Sequence, residues 1–232
     1  MRITHADVWK NRPSEKNSFV SNEVHLSLPF LRMRKTKNVL DVACGNGLGV
    51  SLPLLREGYA VYSFDKWKAS INALNKNAQK EGFKTHARVS NMYKEFPYKN
   101  AFFDSSFCFQ AIYHGNLSQI ESAFKEIKRV TKKGGYFFCT IIPYYIKKDK
   151  KRFFFNYTKD NGQIGRIYVR PDTNDPFLCY NLAKNCEYLV PHYYFTKTKL
   201  RSTLKKYFKE IYIRKVSRKD KCISVWFVRC RI

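Results

Sequence analysis

Hydrophobic positions in the middle of the chain alternate between short continuous runs and stripes with helical spacing. Residues 38–43 (NVLDVA) form an apolar run that ends in a glycine-rich turn, and residues 60–64 (AVYSF) form a second run. The segment 119–130 instead carries its apolar residues three and four positions apart, on one face of a helix. Such alternation predicts an α/β fold, a mostly parallel sheet with helices on both faces.

The same two patterns predict the remaining elements. Further strands are expected over residues 85–89, 102–112, 136–142, 211–216 and 223–228, and further helices over 50–57, 66–81 and 197–208. Gly58 and Gly82 follow two of these helices, where glycine commonly terminates a helix.

The segment 144–190 breaks the alternation and is predicted to be an inserted cap or lid. It is aromatic and basic, with turn signals such as Asn161-Gly162. No internal repeat or low-complexity linker divides the chain. We therefore expect a helical N-terminal extension over residues 1–35 and one domain over residues 36–232 that contains the insertion.

The composition indicates a packed globular chain. Hydrophobic residues make up 44% and aromatic residues 16% of the 232 positions, which excludes wholesale disorder. No apolar run approaches the roughly 18 residues that a membrane-spanning helix needs. The first 30 residues carry His5, Asp7, Glu15 and Glu23 rather than a basic stretch followed by an apolar one, so we expect no secretory signal.

The charge balance leaves two explanations open. The chain has 44 Lys and Arg against 18 Asp and Glu, a net charge of +26. Such a field raises the local concentration of RNA or of acidic membrane surfaces. A lysine-rich surface without a specific partner explains the same number. The basic residues are spread from Lys10 to Arg231 instead of forming one tail, so the distribution does not choose between them.

The cysteines predict reduced, buried thiols in a cytoplasmic protein. They are odd in number and form no CxxC pair, which disfavours disulfides and a zinc site, so no metal is expected. The seven are Cys44, Cys108, Cys139, Cys179, Cys186, Cys222 and Cys230.

The first predicted strand runs into a glycine turn, DVACGNGLG, that begins at Asp41. Glycines at a strand-to-helix turn let the backbone approach a ligand, with free amides at the helix N-terminus. The dinucleotide fingerprint needs G-x-G-x-x-G, but Gly45, Gly47 and Gly49 give G-x-G-x-G and Val50 occupies the last glycine position. This spacing disfavours a pyrophosphate ligand.

A carboxylate follows the second predicted strand. Asp65 lies 24 residues after Asp41, at a strand end where a carboxylate can accept hydrogen bonds from both hydroxyls of a ribose. Turn and carboxylate together predict a ligand that contains a ribose and lacks a pyrophosphate.

Four landmarks in this order resemble the S-adenosylmethionine-dependent methyltransferases of the seven-stranded, Rossmann-like class. They are VLDVACGNG, Asp65, Phe103-Asp104 and EIKRVTKKGG, within residues 36–145. The resemblance implies a doubly wound, mostly parallel seven-stranded sheet with an antiparallel last strand, and S-adenosylmethionine as cofactor. Two shorter segments, QAIYHG at 110–115 and PHYYFT at 191–196, resemble the tellurite-resistance and small-molecule type within that class.

The resemblance also implies residue roles around the cofactor. Asp41, Ala43, Gly45 and Gly47 would line the methionine end, and Asp65 would bind the ribose hydroxyls. Ala43 departs from the family pattern, in which glycine is commonest at this position, but its methyl group is small enough to be tolerated.

The adenine side and the sulfonium side are implied in the same way. Lys66 or Trp67 would lie beside the adenine, with Asn91 and Met92 following the third strand. The family usually places an acidic residue near Asn91, whose side-chain carbonyl can still accept from the adenine amine. Gln110, after the fourth strand, would lie next to the sulfonium.

Methyl transfer from a sulfonium needs alignment of the nucleophile and exclusion of water, and a general base only if the nucleophile starts protonated. Tyr113, His114 and His192 are the candidates for this role, because they fall at the expected mouth of the sheet and histidine titrates near neutral pH. A packing role for the two histidines is the alternative.

The absence of certain motifs narrows the acceptor. The fourth strand is not followed by an NPPY or DPPY tetrad, and no Pro-Cys pair is present. We therefore predict a methyltransferase for a small-molecule or other non-nucleic-acid acceptor. An RNA methyltransferase that uses the basic insertion, from Lys147 to Arg152 and Phe153 to Tyr157, is the alternative. A methyltransferase fold that serves only as a binding subunit is the third.

Overall fold

The computed structural model describes residues 22–149, 152–158, 164–182, 189–217 and 224–232. In this part of the chain a 3-10 helix (Asn22–Leu26) precedes the α-helices, which are α1 (Leu28–Met33), α2 (Ser51–Arg56), α3 (Lys68–Lys80), α4 (Leu117–Val130) and α5 (Lys197–Lys205). The strands are β1 (Asn38–Val42), β2 (Ala60–Asp65), β3 (His86–Val89), β4 (Phe103–Cys108), β5 (Thr131–Ile141), β6 (Lys147–Asp149), β7 (Arg152–Thr158), β8 (Ile164–Pro171), β9 (Leu178–Asn181), β10 (Pro191–Tyr193), β11 (Lys209–Ser217) and β12 (Ser224–Arg231).

Seven strands form the central sheet, in the order β11-β12-β5-β4-β1-β2-β3. The pairs of β1 with β2 and β4, of β2 with β3 and of β4 with β5 are parallel, whereas β12 is antiparallel to both neighbours. This confirms the predicted doubly wound fold with its antiparallel last strand. The chain leaves β1 in one direction toward β2 and returns on the other side as β4. Ligands of such sheets bind at the carboxyl ends of these strands.

Helices pack on both faces of the central sheet. Phe137 and Phe138 follow each other in β5, so their side chains point to opposite faces. Phe137 belongs to the cluster that contains Phe124 of α4 and Leu204 of α5, and Phe138 to the cluster that contains Leu31 of α1. The core therefore has two layers, one on each side of the sheet.

Five antiparallel strands form a second sheet, in the order β10-β9-β8-β7-β6, between β5 and α5. The chain enters and leaves this sheet side by side, since Tyr144 N donates to Phe195 O at 2.8 Å and Phe195 N donates to Ile142 O at 3.1 Å. Strands β6 to β9 of this sheet lie within residues 144–190, the segment predicted as an insertion, and β10 follows it. Its service as a cap or lid stays a prediction.

The two largest differences from the predicted strand boundaries concern β4 and β5. The fourth strand was expected to reach residue 112, but β4 ends at Cys108, because Gln110 adopts a left-handed backbone conformation (φ +59°). The fifth strand starts at Thr131 instead of residue 136 and includes Gly134, whose N–H donates to Ile232 O at 2.9 Å. The residues after Cys108 are apolar because they form a buried loop and not because they continue the strand. Ile112, for example, is fully buried outside any strand.

Some predictions fall on residues outside the described ranges. These are most of the N-terminal extension, the turn at Asn161-Gly162, and Cys186 and Cys222. Among the described cysteines, all are reduced and only Cys44 is partly exposed. No helix in the described ranges is long and apolar enough to cross a membrane.

Candidate active site

The glycine turn after β1 combines one tightly packed and one open position. Gly45 (φ +55°) and Gly47 (φ +79°) both have left-handed backbone conformations. A Cβ added at Gly47 would lie 2.1 Å from Leu74 Cδ1, whereas one added at Gly45 would have nothing within 4 Å. Gly47 is therefore tightly packed against the Leu74 side chain of α3. Gly45 faces open space. This is expected of a position that a ligand approaches.

Asp65, the last residue of β2, joins the two loops at this edge of the sheet. Its Oδ2 accepts the N–H of Gly45 and its Oδ1 accepts the N–H of Trp67, both at 2.9 Å. Burial raises the pKa of Asp65, and the backbone N–H groups of Trp67 and Gly45 partly offset this. The Ser70 side chain and the Lys66 backbone N–H also lower this pKa through hydrogen bonds, so ribose hydroxyls would share the carboxylate with groups of the protein.

Asp41 lies beneath the turn in a chain of hydroxyl groups. Ser51 Oγ, at the start of α2, donates to Asp41 Oδ2 at 2.6 Å, and Ser63 Oγ of β2 lies 2.8 Å from Ser51 Oγ. Asp41 is 1% exposed, and this burial raises its pKa to about 7, with a smaller contribution from the charge of Asp65. The structure thus places Asp41 inside the fold beside the predicted methionine end.

The residues predicted for the adenine side flank the ends of β2 and β3. The Lys66 ammonium lies 5.0 Å from the centroid of the Trp67 ring. Asn91 Oδ1 accepts the N–H of Tyr93 at 3.0 Å, so this oxygen keeps one further lone pair for a ligand. Met92 is half-buried against the core.

Gln110 and Ala43 end neighbouring strands in the same strained way. Ala43 (φ +57°) follows β1 and Gln110 (φ +59°) follows β4, and both are left-handed although neither is glycine. The N–H of Gln110 donates to Thr140 Oγ1 of β5 at 2.7 Å. The turn after β4 is therefore held by a side chain of the adjacent strand.

The structure brings together the three predicted catalytic candidates. Tyr113 and His114 come from the loop after β4 and His192 from β10, and each is less than 10% exposed. The His114 ring centroid lies 4.5 Å from that of Tyr113 and 4.7 Å from that of His192. The N–H of Tyr193 donates to Tyr113 O at 2.7 Å, which fixes the second sheet to this loop.

A backbone contact sets the tautomer of the His192 ring. Its Nδ1 lies 3.0 Å from Val190 O, and a carbonyl oxygen can only accept, so Nδ1 carries the hydrogen. In the neutral imidazole the basic nitrogen is then Nε2.

Sequence reasoning missed Ser51, Ser63, Tyr93 and Thr140. Tyr93 OH donates to Ile112 O at 3.3 Å and so links the loops after β3 and β4. Only Ser51 had a signal, its position at the start of the helix after the glycine turn. Ser63 and Thr140 gave none, because a buried hydroxyl in a strand resembles any small residue of an apolar run, and Tyr93 lies in a loop without a periodic pattern.

The polar groups at this edge of the sheet suit a nucleoside cofactor. No group of three or more His, Cys, Asp or Glu in the described ranges could hold a metal ion. The open face of Gly45 and the carboxylate of Asp65 beside it fit the methionine and ribose parts of S-adenosylmethionine.

Comparison with known proteins gave one family match. Residues 40–139 match the family model described as a methyltransferase domain. These residues contain the glycine turn, Asp65, Asn91 and Gln110. A search of curated proteins found no sequence that matches the chain.

Three solved structures of low sequence identity share the fold. The PH0226 protein from Pyrococcus horikoshii has a TM-score of 0.68 at 20% identity, over 96% of this chain and 97% of that chain. The 1,6-didemethyltoxoflavin-N1-methyltransferase from Burkholderia thailandensis has a TM-score of 0.61 at 15% identity, over 97% and 80%. TehB from Haemophilus influenzae has a TM-score of 0.60 at 17% identity, over 98% and 66%.

Proposed function

We propose that this chain, a class I S-adenosylmethionine-dependent methyltransferase, transfers the methyl group to a small-molecule acceptor held between the carboxyl edge of the central sheet and the second sheet. The observation that carries the proposal is the buried cluster of Tyr113, His114 and His192, contributed by both sheets. An acceptor bound there is largely enclosed, as small ligands usually are in protein pockets. An RNA chain would have to present a single base to the same place.

The relatives support the same acceptor class. The Burkholderia thailandensis structure contains bound 1,6-didemethyltoxoflavin and S-adenosylhomocysteine, a small heterocycle beside the product form of the cofactor. At 15% identity, the similarity to this structure shows a shared fold. The acceptor class is part of our proposal for this chain.

Asp65 and the glycine turn would hold the cofactor, and S-adenosylmethionine supplies an electrophilic methyl group when it is bound. Asp65 would accept the ribose hydroxyls, and Gly45 would let the methionine part lie against the backbone. Asp41 and Gln110 would flank the methionine and sulfonium end. Methyl transfer then depends mainly on alignment and on exclusion of water.

His192 is our candidate for the proton acceptor. Because its Nδ1 donates to Val190 O, Nε2 is the nitrogen that can accept a proton from an acceptor O–H or N–H group. A bound cofactor would supply the methyl group to the acceptor atom and leave as S-adenosylhomocysteine, and His192 Nε2 would take up the proton that the acceptor atom loses. Tyr113 and His114 would line the acceptor and orient it.

Transfer of label from methyl-labelled cofactor tests the proposal. The protein is incubated with labelled S-adenosylmethionine and a cell extract, which is then divided into RNA, protein and small-molecule fractions. We expect label in the small-molecule fraction. An Asp65→Ala variant serves as the control, since label that persists there does not come from this site. Label found only in the RNA fraction would contradict the small-molecule acceptor and favour an RNA methyltransferase.

A further inference from the structure

The end of β4 is held by one side chain of β5. Backbone pairing between these parallel strands stops at Cys108 and Cys139. The next residue of β5 is Thr140, which is fully buried, and its Oγ1 accepts the N–H of Gln110 at 2.7 Å. Past the last backbone pair, the threonine hydroxyl therefore continues the connection between the strands.

This hydrogen bond acts on a strained position. Gln110 has a φ of +59°, a left-handed conformation that a residue with a Cβ seldom adopts and that persists only where the surroundings hold it. Ala43, at the end of adjacent β1, has nearly the same φ of +57°. The two left-handed residues thus turn the segments after β1 and β4 away from the sheet, at the edge where the cofactor is expected.

The held turn leads directly into the acceptor side of the site. Residues 109–115 contain both Tyr113 and His114, and the N–H of Tyr193 donates to Tyr113 O at 2.7 Å. A change in the backbone at Gln110 would therefore move the cofactor edge and the cluster between the sheets together. The hydrogen bond to Thr140 Oγ1 satisfies the Gln110 N–H at this turn.

We propose that Thr140 is a positioning residue of the methyl-transfer site and that it acts through the Gln110 backbone. The inference rests on the proposed function, because that function places Gln110 next to the sulfonium. Thr140 itself is fully buried within β5. Its hydroxyl sets the direction in which the loop 109–115 leaves β4.

Thr131 provides a matched control in the same strand. It is also buried, its Oγ1 donates to Ile127 O at 2.7 Å, and it lies 2.7 Å from Ser106 Oγ. Thr131 stands at the start of β5, at the opposite edge of the sheet from the site. Thr140→Val and Thr131→Val each remove one buried hydroxyl of similar surroundings, and Thr140→Ser keeps the hydroxyl.

The test measures S-adenosylhomocysteine binding by calorimetry and amide hydrogen exchange of residues 109–115. Both valine variants are expected to lower the melting temperature. Only Thr140→Val should weaken S-adenosylhomocysteine binding, on the order of 5- to 10-fold, the usual effect of one lost hydrogen bond. It should also speed exchange in the 109–115 segment. Thr140→Ser should restore both properties.

Equal affinity in Thr140→Val and the parent protein, with unchanged exchange in residues 109–115, would overturn the role of Thr140 alone. Failure of the parent protein itself to bind S-adenosylhomocysteine would overturn the cofactor site and this inference with it. If Thr140→Val does not fold, Thr140→Ala, which also lacks the hydroxyl, is compared with Thr131→Ala.

Discussion

Ser51 Oγ donates a hydrogen bond of 2.6 Å to Asp41 Oδ2 and is the side-chain partner identified for this buried carboxyl group. This bond and the hydrogen bond from the Ser51 backbone N–H offset only part of the cost of burying a charge. The pKa of Asp41 is accordingly raised to about 7 by burial. Near neutral pH, the group therefore sits between its charged and neutral forms directly below the glycine turn.

This raised pKa predicts a pH dependence of stability. The folded state holds the proton more tightly than the unfolded state, whose ordinary value is 3.8. The contribution is therefore complete below about pH 4 and is lost as pH rises through about 7. Between pH 5 and pH 8 the loss amounts to about 2–3 kcal/mol.

Urea unfolding of the parent protein and of Asp41→Asn at pH 5, 6, 7 and 8 measures this loss. The asparagine can still accept from Ser51 but has no proton to lose, so its stability should fall less over the same range. Parallel stability curves for the two proteins would show that Asp41 does not titrate in this window.

Asp65 should contribute strongly to cofactor affinity. Asp65→Ala leaves two ribose hydroxyls without a charged partner, and hydrogen bonds to charged groups contribute roughly 1.5–3 kcal/mol. We expect S-adenosylhomocysteine binding to weaken on the order of 30- to 150-fold by calorimetry. NAD should bind negligibly to the parent protein, because the G-x-G-x-G turn does not suit a pyrophosphate.

Asp104 is the control for this substitution. Its Oδ2 also accepts two backbone N–H groups, from Lys37 and Asn38 at 2.9 Å each, but at the amino edge of the sheet. Asp104→Ala should lower stability without changing S-adenosylhomocysteine affinity. A folded Asp65→Ala protein with parental affinity would remove Asp65 from the site.

The two glycines of the turn should respond differently to alanine. Both substitutions force a left-handed alanine, at about 1–2 kcal/mol. Gly47→Ala also drives its methyl group to within 2.1 Å of Leu74 Cδ1, so about 1–3 kcal/mol more stability should be lost in urea unfolding. Gly45→Ala meets nothing within 4 Å and should mainly weaken S-adenosylhomocysteine binding. Parental affinity in Gly45→Ala would show that no ligand occupies that space.

The sequence predicted the central sheet well, because its signals are local. Strands β1, β2, β4 and β5 each contain a short apolar run, whereas β3 (HARV) is largely exposed, and the glycine turn and Asp65 follow β1 and β2 at the edge where parallel strands meet. The alternation of these runs with amphipathic helices indicated a mostly parallel sheet with helices on both faces, and the family resemblance implied its doubly wound order. Strand ends were less predictable: residues 109–112 are as apolar as a strand, and only the left-handed Gln110 shows that the chain turns there.

The contacts between distant segments could not be predicted from the sequence. Thr140 reaches Gln110 across 30 positions, and Tyr193 reaches Tyr113 across 80. Hydroxyl groups in strands carry no periodic signal, and the arrangement of the second sheet depends on antiparallel pairings that its aromatic, basic sequence does not encode by spacing. The three candidates Tyr113, His114 and His192 were found from short resemblances, whereas their proximity is a result of the fold.

The last prediction separates the small-molecule and RNA acceptors by their response to salt. The second sheet carries cations stacked on aromatic rings: the Arg166 guanidinium lies 4.6 Å from the Phe154 ring centroid, and that of Arg170 lies 5.3 Å from the Tyr180 centroid. Such pairs can stack bases and bind phosphates, but they also form a stable surface by themselves.

If this surface holds RNA, the logarithm of affinity should fall with the logarithm of salt concentration at a slope of about −0.7 per phosphate contacted. Four phosphates would give a slope near −3 and a loss of affinity above roughly 10-fold between about 50 and 200 mM salt. For a small acceptor we expect the opposite, and RNA binding stays weak and indifferent to sequence. The cofactor site should then be unaffected by the basic residues: S-adenosylhomocysteine affinity stays unchanged in a variant that combines Lys147→Ala, Lys148→Ala, Arg166→Ala and Arg170→Ala. A defined RNA that binds with the steep slope, loses it in the combined variant and accepts methyl label would decide for RNA, because only a substrate held through its phosphates shows all three properties.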